Sequence, residues 1–224
     1  MPEMTLTEKT APAQSSRTCS SANSASPSNQ SSWPSNPPAT KQPMVPSRTA
    51  DFLKINPNGY VPAMVEDDFV LTEMPAILHY ISGLAPDREL LGSNLKERIR
   101  VEEWMVWLSG TLHAAGFGAF WRPTRYVDVE DAEHVHPLIV EKGRKKILQC
   151  FGRIEERIEG TYAVRQHLTV VDFYLHCFWR WGRQIGLDMG LYPRYGAVAR
   201  QVEQLESVRV VMEVEGQRLN FVQK

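Results

Sequence analysis

The stretch from Asn56 to Ile77 constrains the fold of this 224-residue chain more than any other segment. Its first residues, Asn56-Pro57-Asn58-Gly59, have the composition of a turn, because proline presets φ and glycine accepts positive φ. The apolar run Val61–Val65 that follows predicts a short strand. Pro62 belongs at the start of that strand, because a proline cannot donate a hydrogen bond to a central ladder.

The same stretch then turns back and enters a helix. Glu66-Asp67-Asp68 predicts a polar turn, and Phe69–Leu71 predicts the returning strand of a hairpin. Thr72 or Glu73 then caps a helix with Pro75 in its first turn, where a missing N–H costs nothing. A helix N-terminus beside exposed backbone polar groups favours binding of a small anionic ligand.

These motifs resemble the glutathione S-transferase family, and within it the bacterial beta class. The family carries Asn-Pro-x-Gly-x-Val-Pro-x-Leu, then a hairpin, then Leu-Thr-Glu-Ser-x-Ala-Ile. The resemblance runs from about Ala50 to about Gly216. An ordinary β-hairpin that feeds a helix is the alternative interpretation of the motif.

The resemblance implies a glutathione-binding set of four residues. The Val61–Pro62 bond is expected to be cis, and the backbone of Val61 is expected to pair with the cysteinyl part of glutathione. Glu73 and Met74 are expected to hold the γ-glutamyl end. Met74 stands where the family has serine, so one hydroxyl contact is lost while the helix N–H remains.

His113 is the catalytic residue that the resemblance implies. It lies in the run Glu103–Phe117, which is similar to the beta-class helix whose histidine lies near the sulfur of glutathione. A histidine there could stabilise a thiolate or relay a proton near neutral pH. A partly buried structural histidine is the alternative. Val106 replaces the family's asparagine on this helix. Trp181 matches a tryptophan that lines the family's active-site cleft; a plain core role in this chain is the alternative.

The chain from Leu95 onward is predicted to be helical throughout. Lys96–Leu112 carries apolar residues at helical spacing. Pro137 is predicted in the first turn of the next long helix, since proline is strained in a helix interior. Thr169 and Asp172 predict a capping box. By resemblance this motif opens a buried central helix and serves folding.

The predicted fold class is α/β plus all-α. An incomplete thioredoxin-like portion covers residues 50–86, and an all-helical C-terminal domain covers residues 94–216. Residues 1–49 are predicted to be a disordered Ser/Pro-rich segment, since the first 50 residues hold eight of the 15 prolines, 11 serines and one leucine. Such a composition cannot bury enough apolar surface to offset the entropy of ordering.

The family's first βαβ unit would fall in this Ser/Pro-rich segment, and a frameshift could explain its absence. Thr18–Asn36, back-translated with permissible codons and read one nucleotide earlier, can give a helix, a turn and a strand. We hypothesise that the original frame is restored near Ala50; codons at the locus that forbid this reading would refute the idea. A genuine extension that replaces the unit is the alternative. Cys19 lacks a preceding strand, so it is not assigned as a catalytic cysteine.

The composition indicates which binding partners and which cellular compartment to expect. The net charge is −1 without a basic stripe, which argues against nucleic acid. No apolar run approaches the roughly 20 residues of a membrane span, and no signal peptide is evident. The three scattered cysteines favour a reducing compartment over a disulfide framework or metal site. A cytoplasmic protein without a metal is therefore expected.

Two functions follow from the resemblance. The first is a homodimeric transferase for detoxification, which conjugates the glutathione thiolate to a small hydrophobic electrophile. Glutathione is then a substrate, and loss of the first βαβ unit would impair activity. The alternative is a non-catalytic protein of the same fold that binds ligands or mediates dimerisation.

Overall fold

The computed structural model of the chain describes residues 49–127, 132–164 and 166–221. Residues 1–48, and with them the frameshift hypothesis and Cys19, lie outside the described residues. Within the described ranges, no helix is long and apolar enough to cross a membrane. In the same ranges, no group of three histidine, cysteine or acidic side chains could hold a metal ion.

An antiparallel hairpin forms the β portion of the structure. A short helix, α1 (Ala50–Ile55), precedes strands β1 (Ala63–Glu66) and β2 (Phe69–Thr72). The register places Ala63 opposite Thr72, so the two strands are joined by the predicted acidic turn. Among the described residues the sheet consists of these two strands.

Helix α2 (Met74–Gly83) ties the hairpin to the helical part of the molecule. Its N-cap is Glu73, one of the two residues that the sequence predicts for that position. The imidazole of His79 lies between two elements: its Nε2 is 2.9 Å from Glu102 Oε2, and its Nδ1 is 3.0 Å from the Pro75 carbonyl oxygen. A histidine thus links α2 to the next long helix.

The helix that follows changes its winding halfway. Helix α3 (Leu95–Trp107) is α-helical, but residues Leu108–Gly118 are π-helical. A short helix α4 (Ala119–Trp121) and a 3₁₀ turn (Pro123–Arg125) complete the segment. The predicted helix over Lys96–Leu112 is present, but the wider winding was not predicted. Long π-helical stretches are rare, and π-bulges occur frequently at functional sites.

Helix α5 (Ala132–Arg157) begins earlier than predicted. The expectation that Pro137 lies in its first turn is wrong, because Pro137 is the sixth residue of the helix. A proline there deprives the Glu133 carbonyl of its helical donor. The loss is confined to one bond near the helix N-terminus, and packing of the remaining turns outweighs it.

The central helix α6 (Val170–Gln184) begins with the predicted capping box at Thr169, which is confirmed. After a 3₁₀ turn (Met189–Leu191), α7 (Pro193–Glu203) and α8 (Glu206–Val214) close the fold. The core lies among α3, the π-helical segment, α5, α6 and α7. Its largest side chains with less than 2% exposure include Trp104, Phe117, Phe151, Phe178 and Tyr195.

This hairpin-then-helices order agrees with the predicted fold class. The domain limits at residues 49, 86, 94 and 216 stay predictions.

Candidate functional site

The loop before β1 is held in place by the buried side chain of Asn56. Its Nδ2 donates to the Tyr60 carbonyl oxygen at 2.7 Å, and its Oδ1 accepts from the Asn58 N–H at 3.1 Å. The Val61–Pro62 bond that follows is cis, which confirms the expectation from the sequence. Val61 is 51% exposed, so the residue whose backbone is predicted to bind a ligand is accessible.

Glu73 marks the start of α2 with an unusual backbone conformation. Its φ is 70°, in the left-handed region, which costs a non-glycine residue on the order of 1 kcal/mol. The exposed Glu73 side chain makes no capping hydrogen bond to its own helix. The carboxylate and the first N–H groups of α2 are therefore left to interact with another partner.

Met74 contributes its backbone rather than its side chain to this region. The residue is the first of α2, and its partly buried side chain packs against the hydrophobic core. A backbone N–H at this position points along the helix axis toward the N-terminus. The expectation that the N–H remains available while a hydroxyl contact is lost is consistent with this placement.

His113 lies in the π-helical segment opposite an aromatic face of α6. Its ring centroid is 5.7 Å from that of Trp181 and 6.3 Å from that of Phe178. Trp181 also contacts Trp121, with their centroids 4.9 Å apart. The sequence left open whether Trp181 lines the site or serves the core. Its partly buried ring does both, since it packs on the core and lies beside His113.

Several charges act on the imidazole of His113. Desolvation against its neighbours lowers the pKa of His113, and the positive charges of Arg125 and Arg122 lower this pKa further. Glu73 acts in the opposite direction. The imidazole is therefore neutral at pH 7, and it can accept a proton. The shared electrostatics also place Glu73 and His113 in one neighbourhood.

Arg125 connects this neighbourhood to the loop before β1. Its guanidinium carbon lies 4.4 Å from the centroid of the Tyr60 ring, and Tyr60 directly precedes Val61. The chain reaches this position by folding back along the π-helical segment, where the Tyr126 hydroxyl donates to the Ala114 carbonyl oxygen at 2.8 Å. The Val61–Pro62 loop, Arg125 and His113 thus lie in one neighbourhood, which we refer to as the candidate cleft.

Tyr174 on α6 supplies a neutral hydroxyl in the same region. Burial, with the neighbouring charges of Cys177 and Glu73, raises the pKa of Tyr174 to about 12, although a hydrogen bond with Ser109 opposes the shift. The phenol therefore remains protonated at neutral pH and serves as a hydrogen-bond donor. Its proximity to Glu73 and Ser109 brings the start of α2 close to both α6 and the π-helical segment.

Sequence reasoning missed four residues of this cleft: Tyr60, Ser109, Arg125 and Tyr174. Two arginines within Arg122–Arg125, just after the helix that carries His113, were the available signal. Their proximity to His113 depends on the fold-back through Tyr126, which local sequence patterns do not reveal.

Removing the charge of Arg125 should raise the pKa of His113. Arg125→Gln takes away a positive charge that disfavours the imidazolium, so the midpoint of the His113 titration should move to higher pH. A histidine-detected NMR titration measures this shift. Arg200→Gln is the control, because Arg200 lies over Phe221 on α7. An unmoved midpoint in Arg125→Gln would contradict the electrostatic link.

Comparison with known families gives two matches. The profile described as "Glutathione S-transferase, N-terminal domain" matches residues 25–83. The profile described as "Glutathione S-transferase, C-terminal domain" matches residues 134–207. The N-terminal match begins within the Ser/Pro-rich segment, earlier than the start of the resemblance near Ala50.

Solved structures give the same assignment over most of the chain. A glutathione transferase from Methylococcus capsulatus is 30% identical, covering 75% of this chain and 79% of that chain, with a TM-score of 0.57. A bacterial beta-class enzyme from Sphingomonas chungbukensis is 29% identical, covering 75% and 80%, with a TM-score of 0.63. A glutathione transferase homologue from Sulfitobacter with bound glutathione is 26% identical, covering 77% and 81%, with a TM-score of 0.70.

Proposed function

The chain belongs to the glutathione S-transferase family, and from that premise we propose that it transfers the thiolate of glutathione to a small hydrophobic electrophile. Glutathione is the co-substrate. The observation that supports the proposal is that Arg125, whose charge acts on His113 together with that of Glu73, lies over Tyr60, the residue before Val61.

The binding half of the cleft suits a tripeptide. The accessible backbone of Val61 offers the pairing partner that an extended cysteinyl residue needs. The Glu73 carboxylate suits the ammonium group of the γ-glutamyl end. The first N–H groups of α2, including that of Met74, suit its carboxylate, because a helix N-terminus favours negative charge.

His113 is the residue that we propose to act on the sulfur. Its neutral imidazole accepts the thiol proton, and the resulting imidazolium stabilises the thiolate beside it. The nearby positive charges of Arg125 and Arg122 also favour the thiolate over the thiol. The thiolate then attacks the electrophile, and the His113 proton passes to the leaving group or to water.

Binding of glutathione tests the first half of the proposal. Glu73→Ala should weaken the affinity for glutathione about tenfold, the effect of losing one charge-assisted hydrogen bond. Calorimetric titration with glutathione measures it. Glu89→Ala is the matched control, because Glu89 is also an exposed glutamate with positive φ, at 48°. Equal affinities for the two variants would contradict the role of Glu73.

Turnover tests the second half and separates the enzyme from a non-catalytic member of the family. Retention on glutathione-agarose together with conjugation of a chromogenic electrophile supports the transferase. A folded protein that does neither supports the ligand-binding or dimerisation alternative.

We also propose a cytoplasmic homodimer with a role in detoxification. Exposed apolar side chains on the hairpin and on α3 support a subunit interface; they include Val65, Phe69, Val70, Ile99 and Val106. Sedimentation as a single 25.5 kDa chain at micromolar concentration would contradict the dimer. Cell fractionation tests the compartment.

A further inference from the structure

We propose that Arg125 binds the glycyl carboxylate of glutathione, so that a residue of the helical part of the chain holds the end of the tripeptide that lies away from α2. The inference rests on the proposed binding of glutathione and specifies a contact within that same site. Two observations carry it: the guanidinium of Arg125 lies over the ring of Tyr60, and Tyr60 directly precedes Val61.

The hairpin indicates the direction in which the tripeptide runs. Its register places Glu73, which follows the last residue of β2, on the Pro62 side of Val61. A cysteinyl residue that pairs with the backbone of Val61 therefore has its γ-glutamyl neighbour on the Pro62 side and its glycyl neighbour on the Tyr60 side. One extended residue spans about 3.3–3.6 Å, so the glycyl carboxylate is expected beside Tyr60.

Tyr60 and Arg125 are both held where this carboxylate is expected. The Tyr60 carbonyl oxygen accepts from the buried Asn56 Nδ2 at 2.7 Å, which fixes the backbone before Val61. The Arg125 guanidinium carbon lies 4.4 Å from the centroid of the partly exposed Tyr60 ring. The hydrogen bond from the Tyr126 hydroxyl to the Ala114 carbonyl oxygen fixes the chain next to Arg125.

The charges of the ligand and of the site are complementary in this arrangement. The proposed contacts of Glu73 and of the α2 N-terminus neutralise the ammonium and the carboxylate of the γ-glutamyl end, which leaves the glycyl carboxylate without a partner. Within the described ranges, no carboxylate lies at salt-bridge distance from Arg125. A cation–π contact consumes no N–H donor, and the planar fork of a guanidinium matches a carboxylate with two parallel hydrogen bonds.

The probes for this contact are S-methylglutathione and its glycyl amide, which differ only in the charge at the glycyl end. The methyl group on the sulfur prevents ionisation of the thiol, so any effect of Arg125 on the thiolate does not enter the measurement. Calorimetric titration gives the Kd of each ligand. The measured preference is the ratio of the two Kd values, amide to acid.

The wild-type protein should bind the acid about fivefold more tightly than the amide, as expected for an ion pair at an exposed site. Arg125→Gln should bring the ratio close to one by weakening the binding of the acid alone. Arg125→Lys should retain part of the preference because it keeps the charge. Arg200→Gln is the control and should keep the full preference, since Arg200 lies over Phe221.

Tyr60 is a positioning residue in this arrangement, and the same ratio tests it. Tyr60→Phe keeps a ring under the guanidinium and should keep the preference, whereas Tyr60→Leu removes the ring and should lower the ratio. A change in overall affinity with an unchanged ratio in Tyr60→Leu would assign Tyr60 to the loop structure alone and contradict its role in holding Arg125.

Three results would overturn the inference and leave the proposed transferase standing. The first is an unchanged ratio in Arg125→Gln. The second is a preference that Arg125→Gln keeps and Arg122→Gln loses, which would assign the carboxylate to the neighbouring arginine. The third is equal affinity of the wild-type protein for the two ligands. A wild-type protein that binds neither ligand would contradict the proposed binding of glutathione itself, and with it the inference.

Discussion

Replacing Asp172 with alanine is expected to lower the free energy of unfolding by about 3–4 kcal/mol. The Asp172 carboxylate is fully buried and accepts three hydrogen bonds. The Ala163 N–H donates at 2.8 Å, the Thr169 N–H at 2.8 Å and the Thr169 hydroxyl at 3.1 Å. Alanine leaves two buried N–H groups without an acceptor, each at a cost of about 1–3 kcal/mol, and removes the N3 side chain of the capping box of α6.

Chemical denaturation followed by tryptophan fluorescence measures this loss. The comparison belongs at pH 7.5, because burial raises the pKa of Asp172 to about 6, and the carboxylate is charged above that value. Asn94→Ala is the matched control, since Asn94 caps α3 from an exposed position through a 3.1 Å bond to the Glu97 N–H. Its loss should cost about 1 kcal/mol. Equal losses in the two variants would show that burial of Asp172 adds nothing to the cap.

The features that the sequence predicted correctly are those whose signals are local. The turn at Asn56–Gly59 depends on residue types that satisfy a turn within four positions. The hairpin depends on two short apolar runs around an acidic pair. The capping box at Thr169 and Asp172 depends on two side chains three residues apart. In each case the interacting residues are only a few positions apart, so the local sequence specifies the feature.

The features that the sequence did not reveal depend on tertiary contacts. The π-helical winding at Leu108–Gly118 packs against residues of α5 and α6 that lie more than 20 positions further along the chain, such as Gly143 and Phe178. Pro137 sits inside α5 because the packing of that helix outweighs one lost hydrogen bond. Arg125 reaches Tyr60 across about 65 positions only because Tyr126 fixes the intervening chain on Ala114. No local rule assigns such an arginine to the cleft.

The crossing of α5 with the end of the π-helical segment and with α4 yields the second large effect, at Gly143. A Cβ at this position would lie 2.7 Å from the Phe120 nitrogen, 2.9 Å from the Gly116 oxygen and 3.0 Å from the Ala119 Cβ. Two of these three atoms are backbone, so they cannot move aside as a flexible side chain would. Gly143→Ala should therefore lower the free energy of unfolding by about 2–3 kcal/mol, the usual cost of overpacking a core.

Gly152→Ala on the same helix is expected to have the opposite sign. A Cβ at Gly152 would meet nothing within 4 Å, so alanine brings only its better helix propensity, worth about 0.5–1 kcal/mol. The two variants therefore share a helix and a chemical change and differ in the backbone that faces them. Denaturation midpoints measured side by side distinguish them, and destabilisation by both would contradict the close crossing as the cause.

The packing at Gly143 also links the stability of the fold to the position of His113. Gly116, whose carbonyl oxygen limits the space at Gly143, lies three residues after His113 in the π-helical segment. We expect the clash in Gly143→Ala to be relieved by a shift of this segment away from α5, which would move His113 relative to Trp181. Conjugation activity should therefore fall in Gly143→Ala under conditions where the variant is fully folded, and should be retained in Gly152→Ala. Full activity in a folded Gly143→Ala variant would show that the clash is relieved on the α5 side, without displacing His113.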